Sequence, residues 1–190
     1  MHYQPKQDLL EQRIILVTGA GDGIGREAAL TYARFGAQLV LLGRTESKLL
    51  AVQQEIAALG GAPALVVTLD LLHATQEQCR QIADDLARQI PRLDGVLHNA
   101  GLLGDIAPMA DLSITMWQEV MQVNVNATLY ADSGAAAAAA EIPRRFTGVH
   151  QLQRRAYRPR RLGCLCGVEV RHRGHDAGVW PTSTKTAICG

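Results

Sequence analysis

Leu16-Val-Thr-Gly-Ala-Gly-Asp-Gly-Ile-Gly25 is the stretch whose reading decides the fold. The apolar run Ile14-Ile-Leu-Val17 leading into it reads as a buried parallel strand. The amphipathic segment Arg26 to Phe35 leaving it reads as a helix. Strand, glycine-rich turn and helix N-terminus in that order are the parts of a dinucleotide site. Gly19 lets the chain turn off the strand, Gly23 lets the backbone approach a pyrophosphate, and Gly25 lets the helix pack close to the sheet. Thr18, Gly21, Asp22 and Ile24 complete the turn. First-turn N–H groups, with the helix dipole behind them, then point at phosphates. The bland alternative is an ordinary strand-to-helix turn with no ligand.

The pattern downstream repeats the unit. Gln38 to Leu42 is a second apolar run. Thr45 is placed to cap the next helix, with Glu46 or Ser47 in its first turn and a stripe of Leu49, Leu50, Val52, Ile56 and Leu59. Gly60-Gly61 ends it, Ala64 to Val67 is a third strand, and a helical segment follows from about His73 to Ile90, broken at Pro91. Gly95 to His98 is a short fourth strand. Gly101 to Ala110 is a loop, and Ser113 caps a helix carrying Trp117, Val120, Met121 and Val125. Alternating strands and helices imply an α/β fold, a Rossmann-type doubly wound parallel sheet with right-handed crossovers. Four strands are legible, so the sheet is expected to be incomplete, with an irregular C-terminal tail.

Length and charge sharpen the division. The 190 residues suffice for one domain. The net charge of +1 is unevenly spread: residues 1–128 carry nine Lys/Arg against fourteen Asp/Glu, residues 129–190 ten against four. The expected organisation is residues 1–128 as the N-terminal part of a nucleotide-binding domain and 129–190 as a tail foreign to it. The polar N-terminus lacks the apolar core of a signal peptide, no apolar run is long enough for a bilayer, and residues 1–128 hold one cysteine, Cys79. A cytoplasmic protein is expected.

The spacing Thr-Gly-x-x-x-Gly-x-Gly, together with Leu42-Gly-Arg44, Leu69-Asp70, His98-Asn-Ala-Gly101 and Val123-Asn124-Val125, resembles the classical short-chain dehydrogenase/reductase superfamily. It is most similar to bacterial 3-oxoacyl-(acyl-carrier-protein) reductase-like oxidoreductases, and the likeness runs to about Thr128. The resemblance implies hydride transfer to or from a carbonyl or secondary alcohol, a small-molecule or acyl-thioester substrate, and a homo-oligomer without nucleic-acid or membrane partners.

Arg44 lies just past the second strand, where an acidic residue would hold a ribose 2′-hydroxyl and an Arg accommodates a 2′-phosphate. Thr45 adds a hydroxyl, and NADP (NADPH) is the expected cofactor. The alternative is a solvated surface Arg. Two departures from the family pattern stand out: Asp22 occupies a position often basic in NADP members, and Gly21 replaces the usual Ser or Thr. By resemblance Asp70 and Leu71 serve the adenine end; the competing reading of Asp70 is a helix cap. Asn99, Ala100 and Gly101 lie against the cofactor, and Asn99 can tie adjacent strands. His98 is read as a hydrogen-bonded structural residue rather than a proton carrier. Asn124 matches the family's catalytic Asn, which holds a water in a proton relay, and Val123 precedes it on the cofactor side.

The same chemistry needs a Ser, a Tyr acid and a Lys that lowers the Tyr pKa, as Tyr-x-x-x-Lys. Tyr130 is followed four residues on by Gly134 and Tyr157 by Arg161, so the pair is missing from these residues. The tail instead holds Ala135 to Ala140 and nine Arg between Arg144 and Arg173. Cys164, Cys166, His172 and His175 invite a metal reading, and the Arg an anionic-polymer reading; neither is adopted, so no metal is expected. Reading the codons one base on can turn the alanine run into Leu-Leu-Pro-Leu-Leu-Leu. It can turn Gly148 through Val170 into a strand, a Ser cluster and Tyr-x-x-x-Lys. A frame-shifted tail, and an inactive chain, are the expectation.

Overall fold

The computed structural model describes residues 6–138 and 146–149. The elements run β1 (Ile14–Thr18), α1 (Gly23–Arg34), β2 (Gln38–Gly43), α2 (Glu46–Ala58), β3 (Leu65–Thr68), α3 (Gln76–Gln89), β4 (Gly95–His98), α4 (Ile114–Met121), α5 (Ala127–Ala138) and β5 (Phe146–Val149). The strands form one sheet in the order β3-β2-β1-β4-β5, every neighbouring pair parallel. In register, Ile14 faces Gln38 and Thr18 faces Leu42 on one side of β1, while Ile15 faces Gly95 on the other. Strand order reverses at β1, so a crevice opens between the carboxyl ends of β1 and β4, where ligands sit in such sheets.

Alternation along the strands divides the core between two faces. Val17, Leu39, Leu41 and Leu97 pack with Ala29, Leu30 and Ala33 of α1 and Leu49, Val52 and Ile56 of α2. Ile14, Leu16, Val40, Leu42 and Val96 point the other way, onto Leu86 of α3 and Ile90. α3 packs alongside α5 on that second face. At the amino edge Asp94 clasps β1 to β4: its carboxylate accepts from the Ile14 backbone N–H at 2.9 Å, from Arg13 at 2.9 Å and from Arg92 at 3.0 Å.

The Rossmann-type sheet is as the pattern implies, with corrections. A fifth strand lies beyond the four expected, and β5 pairs in parallel with the outer edge of β4. The tail expected to be irregular from residue 129 instead begins inside a helix, since α5 runs to Ala138. α3 begins at Gln76 rather than His73, because Thr75 and Gln78 form a reciprocal capping box. Leu50 and Leu59 lie 40% and 49% exposed, outside the stripe that Leu49, Val52 and Ile56 form. Cys164, Cys166, His172, His175 and the arginines from Arg144 to Arg173, the residues of the metal and anionic-polymer readings, lie outside the described residues.

Candidate functional site

The turn after β1 is shaped by two glycines. Gly19 has φ +67°, a conformation that L side chains rarely adopt. At Gly25 a Cβ would stand 2.2 Å from the Gly19 carbonyl oxygen and 2.5 Å from Asn99 Nδ2, so the helix can start only where no side chain exists. The close packing at Gly25 is therefore against the turn itself and β4. At Gly23 a Cβ would meet nothing within 4 Å, which leaves open space in front of the N-terminus of α1. Asp22 is the N-cap; its Oδ1 accepts from the Gly23 N–H at 2.8 Å. Ile24 is 55% exposed beside it, an apolar side chain facing the open side of the cradle.

Thr18 and Asn99 lock β4 to this turn. The Thr18 hydroxyl is 2% exposed and accepts from the backbone N–H groups of Asn99 and Ala100, both at 3.0 Å. Asn99 Nδ2 donates back to the carbonyls of Thr18 at 3.2 Å and Gly19 at 3.4 Å. The expectation that Asn99 ties adjacent strands holds in full. Ala100 lies against Gly19, its Cα 3.1 Å from where a Gly19 Cβ would be.

His98 is buried, and its Nε2 lies 2.9 Å from Asp132 Oδ1 on α5. That pairing supports the structural role expected of it. The partner comes from beyond Thr128, which no local signal around His98 reveals.

Arg44 lies just past the end of β2 at the same carboxyl edge. It is exposed and, like Arg34 at the end of α1, makes no ion pair among the described residues, whereas Arg13, Arg26, Arg80, Arg88 and Arg92 all do. Thr45 occupies the N-cap position of α2, but its hydroxyl makes no capping bond, contrary to the expectation. Both groups are thus uncommitted. Asp70 and Leu71 follow β3. Asp70 Oδ1 accepts from the Leu72 N–H at 3.0 Å, which makes an Asx turn and sets aside the helix-cap reading, since Thr75 caps α3.

α4 and α5 are joined by a π-helical turn, Gln122–Asn126. Such turns recur at functional sites, because they re-aim a side chain without ending the helix. Here the side chain is Asn124, 4% exposed. Its Oδ1 accepts from the Leu102 N–H at 2.8 Å and its Nδ2 donates to the Leu102 carbonyl at 2.9 Å, pinning the loop that leaves Gly101. Its own carbonyl accepts from the Thr128 hydroxyl at 3.2 Å. Val123 is half-buried in the same turn, and Asn126, one step off the pattern, is exposed and bonded to Gln122.

Two residues were missed. Gln122 donates to the carbonyls of Leu71 at 3.3 Å and Ala74 at 2.9 Å, joining the Asn124 turn to the loop after β3. Lys48, on the first turn of α2, reaches Asp22 at 2.6 Å. That ammonium and the Gly23 N–H hold the Asp22 carboxyl below the usual carboxylate range.

Among the described residues no helix is long and apolar enough to cross a membrane, and no group of three or more His, Cys, Asp or Glu could hold a metal.

Comparison with known proteins bears on the whole arrangement. The short chain dehydrogenase family model matches residues 13–144. The oxidoreductase YciK of Escherichia coli (strain K12) is 62% identical over 128 residues, which is 67% of this chain and 51% of that protein. The chain thus spans about half the length of that relative. The solved structure of E. coli YciK superposes with a TM-score of 0.71 at 58% identity, over 73% of this chain and 57% of that one. A short chain dehydrogenase from E. coli CFT073, solved in complex with NADPH, superposes with a TM-score of 0.74 at 52% identity, over 76% of this chain and 60% of that one.

Proposed function

The chain belongs to the short chain dehydrogenase family, and from that premise we propose that its cradle binds NADP(H). The observation that carries the reading is Arg44: an exposed guanidinium with no ion-pair partner among the described residues, just past the end of β2, beside an N-cap hydroxyl with no capping bond. A planar fork suits a phosphate better than a ribose hydroxyl. The open space at Gly23, in front of the N-terminus of α1, supports a dinucleotide there, since a helix N-terminus favours an anionic group. Thr18, Gly19, Gly21, Asp22, Gly23, Ile24 and Gly25 would line the pyrophosphate. Arg44 and Thr45 would hold the 2′-phosphate, Asp70 and Leu71 the adenine side. Asn99, Ala100, Gly101 and Val123 would flank the middle of the cofactor. When bound, NADPH supplies a hydride for a carbonyl carbon.

The finer reading concerns what the chain does with that cofactor. A 3-oxoacyl thioester is the substrate class proposed for the intact lineage, acting as a homo-oligomer in the cytoplasm without nucleic-acid or membrane partners. Asn124 positions the loop over the site, but these 190 residues contain no Tyr-x-x-x-Lys to protonate the oxygen that hydride transfer leaves charged. The proposal is therefore a nucleotide-binding chain with little or no turnover. Residues 129–190 would be read one base out of frame, and sequencing the DNA across codons 125–182 tests that origin directly.

Cofactor choice is tested by fluorescence titration with NADPH and NADH. Wild type should bind NADPH at least tenfold more tightly. Arg44→Asp should reverse the order, since a carboxylate repels a 2′-phosphate and accepts from a 2′-hydroxyl. Equal NADPH affinity in both proteins would overturn the assignment.

A further inference from the structure

The turn after β1 and the start of α2 are joined by one side chain. The stem of Lys48 lies against Gly21, whose Cβ, if present, would stand 3.0 Å from Lys48 Cβ. From there the Lys48 ammonium reaches Asp22 Oδ2 at 2.6 Å. Gly21 is thus small so that Lys48 can cross, which accounts for a position where a side chain was expected. The crossing also delivers a cation to Asp22, the very place at which the cradle departs from a basic residue.

We propose that Lys48 is a specificity-determining residue for the nucleotide 2′-phosphate, held in waiting by Asp22 and transferred to the phosphate when the ligand binds. The inference rests on the NADP(H) reading above and extends it to a residue on a different element.

Three observations support it. Lys48 is four residues after Arg44, on the first turn of the helix that Thr45 opens, so all three residues are presented from the junction of β2 and α2, and the Lys48 ammonium is directed from there toward the turn after β1. Both members of the pair are exposed, 55% and 76% at their side chains, so exchanging one anionic partner for another carries little desolvation penalty. Asp22 has a second bond, from the Gly23 N–H at 2.8 Å, and so remains anchored as the N-cap after Lys48 leaves. A phosphate dianion offers the ammonium more charge than the carboxylate does, and the exchange moves one cation with no net change in the protein's charge. Asp22 works against the same ligand, since its carboxylate stays near the incoming phosphate.

The test is a set of titrations on the full chain, with NADPH and NADH followed by nicotinamide fluorescence and 2′,5′-ADP against 5′-AMP as competitors. Lys48→Gln should weaken NADPH and 2′,5′-ADP by about tenfold, the loss of one charge-assisted contact, and leave NADH and 5′-AMP within about twofold. Lys48→Arg should retain most of the discrimination. Asp22→Asn keeps a good N-cap, and should tighten NADPH severalfold with little change for NADH. The discrimination due to Lys48 should shrink as salt is raised. If Lys48→Gln weakens both cofactors equally, the pair is only a brace between α1 and α2 and the inference falls. It also falls if Lys48→Gln changes neither while Arg44→Asp still abolishes the NADPH preference; the cofactor reading then survives. A wild-type chain with no preference for NADPH overturns both.

Discussion

The two faces of the sheet are built from the same five strands and are not packed alike. Beneath α1 and α2, Val17, Leu39, Leu41, Val52 and Ile56 are at most 1% exposed, with Leu97 of β4 at 7%. Beneath α3 and α5, Val40 is fully buried, but Leu16, Leu42, Leu86 and Ile90 are 3–7% exposed, and these four border a cavity of about 40 Å³ that Cys79, Ile82 and Ala131 also line. The difference follows from the helices. α2 brings Leu and Ile at helical spacing, whereas α5 reads Ala-Thr-Leu-Tyr-Ala-Asp-Ser-Gly-Ala-Ala-Ala-Ala and, among the described side chains, offers only Ala131 to the cavity. The face that positions the phosphate cradle is the well-filled one. On the other face His98 is held by a polar contact to Asp132, the chain neighbour of the cavity-lining Ala131.

Truncation of a core leucine should expose that contrast most strongly. Leu41→Ala removes a fully buried side chain from a region with no slack, and should cost ~3–5 kcal/mol, near the top of the usual range. Set against a total of ~5–15 kcal/mol for a domain, that would unfold much of the protein. Leu86→Ala should cost at least about 1 kcal/mol less, because Leu86 already lacks neighbours on its cavity side. Urea midpoints measure both. Equal losses would mean that the cavity closes in solution and that the two faces do not differ.

Asp94 tests whether the faces fail together, since it clasps β1 to β4 and those strands carry residues of both. Burial pushes its carboxyl up, but the bonds from the Ile14 N–H, Arg92 and Arg13 outweigh that and leave it below the usual carboxylate range. A carboxyl depressed on folding adds stability that is present above its unfolded value, about 3.9, and is lost as pH falls through the lower folded value. Wild type should therefore weaken below about pH 4. Asp94→Asn should lose ~1–3 kcal/mol at neutral pH and show a shallower acid limb, followed by urea unfolding at several pH values. Identical acid limbs in the two proteins would assign the acid sensitivity elsewhere.

How much of this was legible depended on whether a signal was local. The glycine turn and the Ser113 cap each follow from residues a few positions apart, and the structure has both; the tie made by Asn99 crosses the chain to Thr18, so only the motif around Asn99 points to it. The Lys48–Asp22 pair joins residues of two elements, and nothing in either segment marks the other. Leu50 and Leu59 look like stripe residues by composition, but they fall outside the arc that Leu49, Val52 and Ile56 define. α5 was missed for a different reason. An alanine run has high helix propensity and no apolar period, so a reading that looks for amphipathic spacing passes over it. β5 is too short to announce itself, and β4 supplies its pairing.

The smallest expected effect is also the most direct comparison, because one substitution should have opposite signs on the two faces. Ala131 lines the cavity from α5. Ala131→Val adds two methyl groups there, each worth about 0.8 kcal/mol once buried. A β-branched residue within a helix gives back about half a kcal/mol or somewhat more. The net should be a gain of ~0.5–1 kcal/mol, or about 1–4 °C in Tm for a chain of this size. Ala29 on α1 is fully buried in the filled cluster, so Ala29→Val has nowhere to put the same methyls and should lose ~1–3 kcal/mol. Calorimetry of the two variants side by side cancels the shared helix-propensity cost, leaving the difference in free space. Destabilisation of both by the same amount would show that α5 already lies close to the sheet, and the contrast between the faces would go with it.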